Sequence, residues 1–400
     1  MSPRLHWEIE HECPQCGAPV TLKEGDRILT CNFCRTRLYL VARHMFRYYL
    51  PSADARSDEM FFFPYHRIRG LSFSIGLDGI QARYVDMSHR LFNVPNLPLS
   101  LGVRPQAMTL RLVEPQMEGK FVMPSSGSPF LKQEKLPGER FIGETESIIY
   151  LPTYVRDGRL YDGLLARPLA VWDASSFLVF EACPPCEIRY LATLCPNCGG
   201  DLEGKGEAVA LTCPNCQTAW ICKEGRLLPL SFGLWQVADE VVYWLPFWQL
   251  KVNISGLSLD SHPALLEFAN LPPRTEKNSK EDGLYFWAPA FKLNPEHFLR
   301  WARQMTIFQP RVSLTIHLRG KSLYPATLPV EEALEIIPVM LAELVKNKQA
   351  FIEKTLPGLM VDLKEVTLVY HPFRERKGEL VHQSMGLVIQ RNALEFGFHL

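Results

Sequence analysis

Residues 11–41 read HECPQCGAPVTLKEGDRILTCNFCRTRLYLV, and residues 193–223 read TLCPNCGGDLEGKGEAVALTCPNCQTAWICK. Each segment has two Cys-x-x-Cys pairs with fourteen residues between them, and the two segments align at a constant offset of 182. One such pair on a tight turn directs two thiolates at a point, and a second pair completes a tetrahedron around a metal ion. We therefore predict two metal sites. Their ligands are Cys13, Cys16, Cys31 and Cys34 in the first site, and Cys195, Cys198, Cys213 and Cys216 in the second.

Both segments resemble the zinc-ribbon, or rubredoxin-like, family over about thirty residues each. Within the resemblance, Pro14 and Pro196 follow the first cysteine, and Gly17 and Gly199 follow the first pair. Proline pre-sets φ, and glycine allows the positive φ that turns backbone amides toward the sulfurs. The resemblance implies one Zn²⁺ per segment. We expect both ions to be structural because four cysteines leave no coordination position for water or substrate. Iron is the alternative, since four thiolates suit it as well.

The offset of 182 continues beyond the cysteines and indicates a tandem duplication. It carries Pro64 of FFFPYHRIRG onto Pro246 of YWLPFWQLKV, thirty residues after the last cysteine of each segment. We predict that each ribbon is followed by its own β domain. The predicted domains are ribbon 1 at 1–50, β domain 1 at 51–175, ribbon 2 at 183–230 and β domain 2 at 231–400.

The fold class predicted from the sequence is α+β, mainly β, with an aromatic-rich antiparallel β domain after each ribbon. Short aromatic and β-branched runs contain a proline, as in MFFFPYHRI at 60–68 and VVYWLPFWQL at 241–250. Such runs are typical of strands that begin or kink at the proline. Added helices are expected in the second half, near 295–306 after Asn294 and near 330–354. Pro338 should interrupt the second helix or begin a new one.

Three cysteines remain outside the predicted sites: Cys183, Cys186 and Cys222. The sequence Cys-Pro-Pro-Cys at 183–186 is typical of a thiol redox pair, although no strand and helix of a βαβ unit surround it. With a histidine, the three sulfurs could also form a third metal site. The remaining interpretation is that the three thiols are inert or bind metal only weakly.

The balanced charge of the chain excludes a strong net electrostatic field. Lysine plus arginine and aspartate plus glutamate number 43 each, so binding of nucleic acid or anionic lipid would need a local patch. The start of the sequence has no basic segment followed by an apolar one, and no apolar run is long enough to cross a membrane. Cysteines in metal-binding pairs without an export signal predict a cytoplasmic protein.

One local patch could bind nucleic acid. Between 27 and 49 there is no acidic residue, and aromatic residues alternate with basic ones. Arginines neutralise phosphates and aromatic rings stack on bases, so we keep a nucleic-acid-binding regulator as an alternative function. The second ribbon lacks a comparable patch. The arginines concerned are Arg27, Arg35, Arg37, Arg43 and Arg47.

No catalytic motif is recognisable in the sequence, which contains neither a phosphate-binding glycine loop nor a His-Glu-x-x-His or Gly-x-Ser-x-Gly signature. We therefore expect a non-catalytic protein. The first hypothesis is an adaptor or assembly protein that docks partner proteins through its duplicated ribbon and β-domain faces. The alternatives are the nucleic-acid-binding regulator and a thiol redox protein that uses Cys183 and Cys186.

Overall fold

The computed structural model is mainly β, and the helices whose bounds lie within the described residues are in the second half of the chain. The predicted class, α+β and mainly β, is confirmed. The structure describes residues 7–42, 45–52, 59–94, 96–102, 104, 108–114, 117–124, 138–173, 178–181, 188–237, 243–273, 283–311, 313–318, 320–382 and 384–397.

The strands fall into two series along the chain. The first series is β1 (Glu8–Glu12), β2 (Pro19–Lys23), β3 (Ile28–Thr30), β4 (Arg37–Ala42), β5 (Phe46–Tyr49), β6 (Met60–Gly76), β7 (Gly79–Arg90), β8 (Leu110–Leu112), β9 (Lys120–Val122), β10 (Glu139–Arg156), β11 (Arg159–Asp162), β12 (Pro168–Val171) and β13 (Val179–Phe180). The second series is β14 (Ile188–Ala192), β15 (Ala210–Cys213), β16 (Thr218–Lys223), β17 (Arg226–Leu230), β18 (Phe232–Trp235), β19 (Tyr243–Ile254), β20 (Phe286–Pro289), β21 (Leu314–Thr315), β22 (Val361–Arg376), β23 (Glu379–His382) and β24 (Val388–Gln390).

The helices contact both sheets: the one at Pro295–Phe308 packs against β20, and those at Val330–Leu334 and Ile336–Leu344 contact β10 of the first sheet. The first of these begins where its sequence dictates: the Asn294 side chain accepts a hydrogen bond from Glu296 N at 3.0 Å, and Pro295 follows the cap. This helix ends at Gln309, which is left-handed with φ 47°. The helices are α1 (His262–Phe268), α2 (Pro295–Phe308), α3 (Val330–Leu334), α4 (Ile336–Leu344), α5 (Lys348–Ala350) and α6 (Arg391–Gly397).

The helical stretch predicted near 330–354 is divided into several pieces. α3 ends at Leu334 and α4 begins at Ile336, so Pro338 lies in the first turn of α4, where no amide is needed. After α5, a π-helical turn at Phe351–Thr355 and a 3-10 turn at Leu356–Gly358 lead into β22. The proline thus begins a second helix rather than bending a single long one.

The first half is built on the long antiparallel pair β6 and β10, in which Pro64 lies opposite Tyr150. A proline inside a sheet is tolerated where no ladder bond needs its amide. The carbonyl of Pro64 accepts a hydrogen bond from Leu91 N at 3.0 Å, beyond the end of β7. The main-chain groups of Pro64 therefore point away from β10, and the central ladder loses no bond.

The second half repeats this arrangement with β19 and β22, where Pro246 lies opposite Tyr370. The carbonyl of Pro246 accepts from Ala290 N at 3.0 Å. In both halves a short parallel strand follows on the other side of the pair, β5 beside β10 and β18 beside β22. An antiparallel strand comes next, β8 or β21. The strand orders β6-β10-β5-β8 and β19-β22-β18-β21 are therefore the same.

The two sheets differ beyond β8 and β21. In the first half, β1 pairs in parallel with β8 and in antiparallel with β2. In the second half, β14 instead pairs in antiparallel with β4 of ribbon 1, from Ile188 opposite Ala42 to Ala192 opposite Leu38. Ribbon 2 therefore contributes its first strand to ribbon 1.

The ribbons are also joined by a small apolar core. Ile28 and Tyr39 of ribbon 1 pack with Leu202, Leu211 and buried cysteines of ribbon 2. Main-chain bonds continue the contact, because the amides of residues 27 and 28 both donate to the carbonyl of residue 206, at 3.0 and 3.2 Å. We call this region the ribbon junction. Because the apolar core contains residues of both ribbons, neither ribbon can be removed without exposing the other.

Within the described residues, no helix is both long and apolar enough to cross a membrane.

The buried His66 on β6 makes the stability of the fold depend on pH. Burial, with a smaller contribution from His89, lowers the pKa of His66 to about 4. In the unfolded chain the pKa of His66 has its ordinary value of about 6.5, so at lower pH the unfolded chain binds more protons than the folded one. The stabilisation from neutral, buried His66 is therefore lost as pH falls from about 6.5 to about 4.

Between pH 6.5 and 5, we expect the free energy of unfolding of His66→Phe to fall by about 1.5 kcal/mol less than that of the wild type. Urea unfolding of both proteins at each pH measures this, and the difference between them cancels proton uptake by the cysteines. Parallel pH profiles for the two proteins would contradict the assignment.

Candidate metal centres

The first cluster is held by two tight turns of ribbon 1. Gly17, with φ 71°, donates from its amide to Cys13 O at 2.8 Å, and Cys13 N donates to Ala18 O at 2.8 Å. The second turn ends at Arg35, whose φ of 60° is also left-handed. Positive φ after each pair reverses the chain, so that both cysteines of a pair face the same point.

The second cluster repeats these turns. Gly199, also with φ 71°, donates to Cys195 O at 2.8 Å. Gln217, with φ 58°, donates to Cys213 O at the same distance. Gly199 corresponds to Gly17 and Gln217 to Arg35 at the offset of 182. The two knuckle geometries are therefore alike in turn type and position.

The four sulfurs of each cluster converge. In the first cluster the Sγ atoms of Cys13 and Cys34 are 3.7 Å apart, and those of Cys16 and Cys31 are 3.6 Å apart. In the second, the pairs Cys195 with Cys216 and Cys198 with Cys213 are both 3.5 Å apart. Sulfurs bound tetrahedrally to zinc at about 2.3 Å would lie about 3.8 Å from one another. Both clusters could therefore hold a metal ion.

A threonine beside each cluster favours the thiolate form that metals bind. Hydrogen bonding by Thr36 lowers the pKa of Cys34 to about 6, and Thr218 does the same for Cys216. The Thr218 hydroxyl accepts a hydrogen bond from the Trp220 indole at 2.9 Å, which leaves its own proton for the sulfur of Cys216 at 3.1 Å. The sequence interpretation missed both threonines, although the same offset of 182 relates them.

Burial shows which side of each cluster meets solvent. The first cysteine of every pair is buried, whereas Cys16 and Cys198 are exposed. Asn215 covers Cys198 by donating to its sulfur at 3.4 Å. The corresponding residue of ribbon 1 is Phe33, whose side chain is 71% exposed. The outer surfaces of the two knuckles are therefore chemically different.

The other three cysteines add no further cluster among the described residues. Cys222 is partly buried in the ribbon junction, and burial raises the pKa of its thiol. Cys183 and Cys186, the candidate redox pair, lie outside the described residues. The candidate third metal site and the redox pair therefore stay predictions.

The arginines of the candidate nucleic-acid patch have different surroundings. Arg35 is exposed, Arg27 and Arg37 lie partly buried at the ribbon junction, and Arg43 lies outside the described residues. Arg37 donates to the carbonyl oxygens of residues 202 and 204 at 3.3 and 2.9 Å. Arg47 donates to the Tyr150 hydroxyl at 3.2 Å. The two bonds of Arg37 hold one ribbon against the other.

Arg37→Gln should lower the free energy of unfolding by about 2 kcal/mol, because it removes two hydrogen bonds from a charged group. Arg35→Gln is the matched control, since it changes an exposed side chain of the same type two residues away. Chemical unfolding of both variants at constant zinc concentration measures the difference. Equal stability of the two variants would show that the Arg37 bonds contribute nothing.

Searches against protein-family models, curated proteins and solved structures give no match to this chain.

Proposed function

We propose that this protein is a non-catalytic zinc-binding adaptor or assembly protein that docks partner proteins, built as a tandem duplication of a ribbon and a β domain. The observation that carries the proposal is the pair of four-cysteine clusters in two ribbons that a small apolar core joins through Ile28 and Tyr39. Metal ions in these positions would stabilise both ribbons. Such an architecture offers docking faces and no open coordination position.

The metal in this proposal is zinc in both sites. Four thiolates at one point favour zinc or iron over magnesium, calcium or other hard ions. Full cysteine coordination is typical of structural zinc, whereas catalytic zinc keeps one ligand position for water. The proposed home is the reducing cytoplasm, where unpaired thiols persist.

The proposed duplication is supported by more than the cysteines. The strand prolines Pro64 and Pro246 make equivalent hydrogen bonds, and the strand orders around them agree. The threonines next to the clusters, Thr36 and Thr218, also correspond. A repeated unit that binds metal and presents a sheet would give the adaptor two related faces with separate surfaces.

Docking of proteins is favoured over docking of nucleic acid because basic residues of the candidate patch are engaged in hydrogen bonds within the chain. Arg37 and Arg47 both donate to groups of this chain, which reduces what the patch offers to phosphates. The whole chain is neutral, so long-range attraction of a polyanion is weak. The redox alternative depends on Cys183 and Cys186 alone.

Purified protein should contain two zinc ions per chain and lack the visible bands of iron bound to thiolates. Cys198→Ser should reduce the zinc content below one ion per chain. Loss of the second site would unfold the core that Ile28 and Tyr39 share with it, and a structural ribbon depends on its metal. Elemental analysis with visible absorption provides both measurements. Retention of one tightly bound zinc by Cys198→Ser would mean that the ribbons fold independently.

The adaptor function itself is tested by purification from a native lysate under low and high salt. We expect a stoichiometric protein partner that remains bound to the zinc-loaded chain and is lost after chelation. Recovery of the chain alone would contradict the proposal. Salt-sensitive retention on heparin, with no protein partner, would favour the nucleic-acid alternative instead.

A further inference from the structure

The outer edge of β21 differs from the matching edge in the first half. There, β8 is flanked on its outer side by β1, with Leu110 opposite Ile9. Among the strands that the structure describes, β21 pairs with β18 alone. The reason lies in the ribbon junction. At the offset of 182, β14 overlaps the positions that correspond to β1, but it pairs with β4. The second sheet therefore ends one hairpin earlier than the first.

The two edges can be compared residue by residue through the register of the sheets. Tyr49 lies opposite Tyr150, the partner of Pro64, and Leu234 lies opposite Tyr370, the partner of Pro246. Tyr49 and Leu234 therefore occupy equivalent positions. Tyr49 in turn pairs with Arg111, and Leu234 pairs with Thr315. Arg111 therefore corresponds to Thr315. It follows that Leu110 corresponds to Leu314, and Leu112 to Ile316.

Exposure of these matched residues changes sharply between the halves. Leu110 and Leu112 are 0% and 4% exposed because the β1-β2 hairpin covers them. Leu314 and Ile316 are 41% and 55% exposed. Large apolar side chains at an unpaired strand edge mark a surface on which another strand can pack.

The backbone of β21 is also oriented for pairing. Gln236 N donates to Ser313 O at 3.0 Å, so the main-chain groups of Ser313 face β18. Successive residues of an antiparallel strand direct these groups to opposite sides. The N–H and C=O of Leu314 therefore point to the open edge, as the corresponding groups of Leu110 point to β1.

A cleft of about 530 Å³ lies beside this edge and includes Leu314 and Trp287 in its lining. The Trp287 indole N–H is buried and has no hydrogen-bond partner among the described residues. Lys251 and Arg311 also line the cleft, whereas no described lining residue is acidic. Lys251 is itself paired with Glu365, at 2.7 Å.

The matching region of the first half is filled by the chain itself. Arg67 there corresponds to Gln249, which lines the cleft, at the offset of 182. The ring of Trp7, directly before β1, lies 4.0 Å from the Arg67 guanidinium carbon. The first half thus shows what occupies such an edge: a strand with a preceding tryptophan that covers the adjacent sheet face.

We propose that the edge of β21 is the docking site for an extended segment of a partner protein, which adds to the second sheet as a parallel strand. This inference rests on the adaptor function proposed above and specifies its surface. The segment resembles β1 in chemistry, with large apolar residues at alternate positions and acidic residues between them. Glu8, Glu10 and Glu12 of β1 show this pattern, and Glu10 pairs with Arg111 at 3.5 Å. The residue of β21 that corresponds to Arg111 is Thr315, so the basic residues near the acidic positions of the segment are Lys251 and Arg311 of the cleft. Strand addition of this kind obtains affinity from the main chain and specificity from alternate side chains.

The test uses full-length, zinc-loaded protein and a fluorescent synthetic peptide, LHWEIEHE, copied from residues 5–12 of this chain. Fluorescence anisotropy should show saturable binding. Leu314→Pro removes the outward N–H and the exposed leucine side chain without taking a bond from the ladder between β18 and β21, and Ile316→Glu repels the acidic peptide. Each should weaken binding at least about tenfold. Val171→Glu is the matched control, because Val171 is 80% exposed on β12 of the first half. It should bind like the wild type.

Each variant must retain two zinc ions and the wild-type circular dichroism spectrum, so that loss of binding reports on the edge. Absence of peptide binding, or equal binding by Leu314→Pro, overturns the proposal. Self-association that Ile316→Glu abolishes would assign the edge to a second copy of this chain and would also overturn it. A lysate partner that stays bound to Leu314→Pro leaves the adaptor function intact and refutes this docking site alone.

Discussion

Pairing of β14 with β4 connects the organisation of the two ribbons with that of the two sheets. β14 completes the sheet of ribbon 1, and Ile28 and Tyr39 of that ribbon share an apolar core with the buried Cys195 and Cys213 of ribbon 2. The same pairing keeps β14 away from β21, so among the described strands the second sheet ends at β21, whereas the first continues into β1 and β2. One exchange of strands thus stabilises the centre of the molecule and makes its two halves unequal.

A buried group of charges reinforces the contact between the halves. Glu207 of ribbon 2 pairs with Lys292, which follows β20, and with Arg69 of β6 at 3.4 Å. All three side chains are buried. Burial, together with the nearby Glu207, also raises the pKa of Asp26 in ribbon 1 to about 6. Removal of one partner from a buried ion pair typically costs about 3 to 5 kcal/mol, because the remaining charge is left buried and unpaired.

Local sequence signals predicted the parts that local geometry determines. The cysteine pairs, Gly17 and the cap at Asn294 each act within a few residues, and the structure forms the corresponding turns and helix start there. Partner choice between distant strands could not be predicted in the same way. Nothing within β14 distinguishes pairing with β4 from pairing with β21, because both interactions need only an apolar, β-forming segment. Arg37 looked like a phosphate ligand for the same reason, since its carbonyl partners lie more than 160 residues away.

The exchange of strands has a consequence for the order in which the chain can fold during synthesis. Ala42 of β4 must wait for Ile188 of β14, a separation of 146 residues along the chain. Ribbon 1 therefore leaves the ribosome well before its sheet can be completed, and contacts between such distant segments form slowly. Until ribbon 2 is made, β4 presents an unpaired edge and an uncovered apolar face. Capture of metal by the first four cysteines would hold ribbon 1 together during this interval.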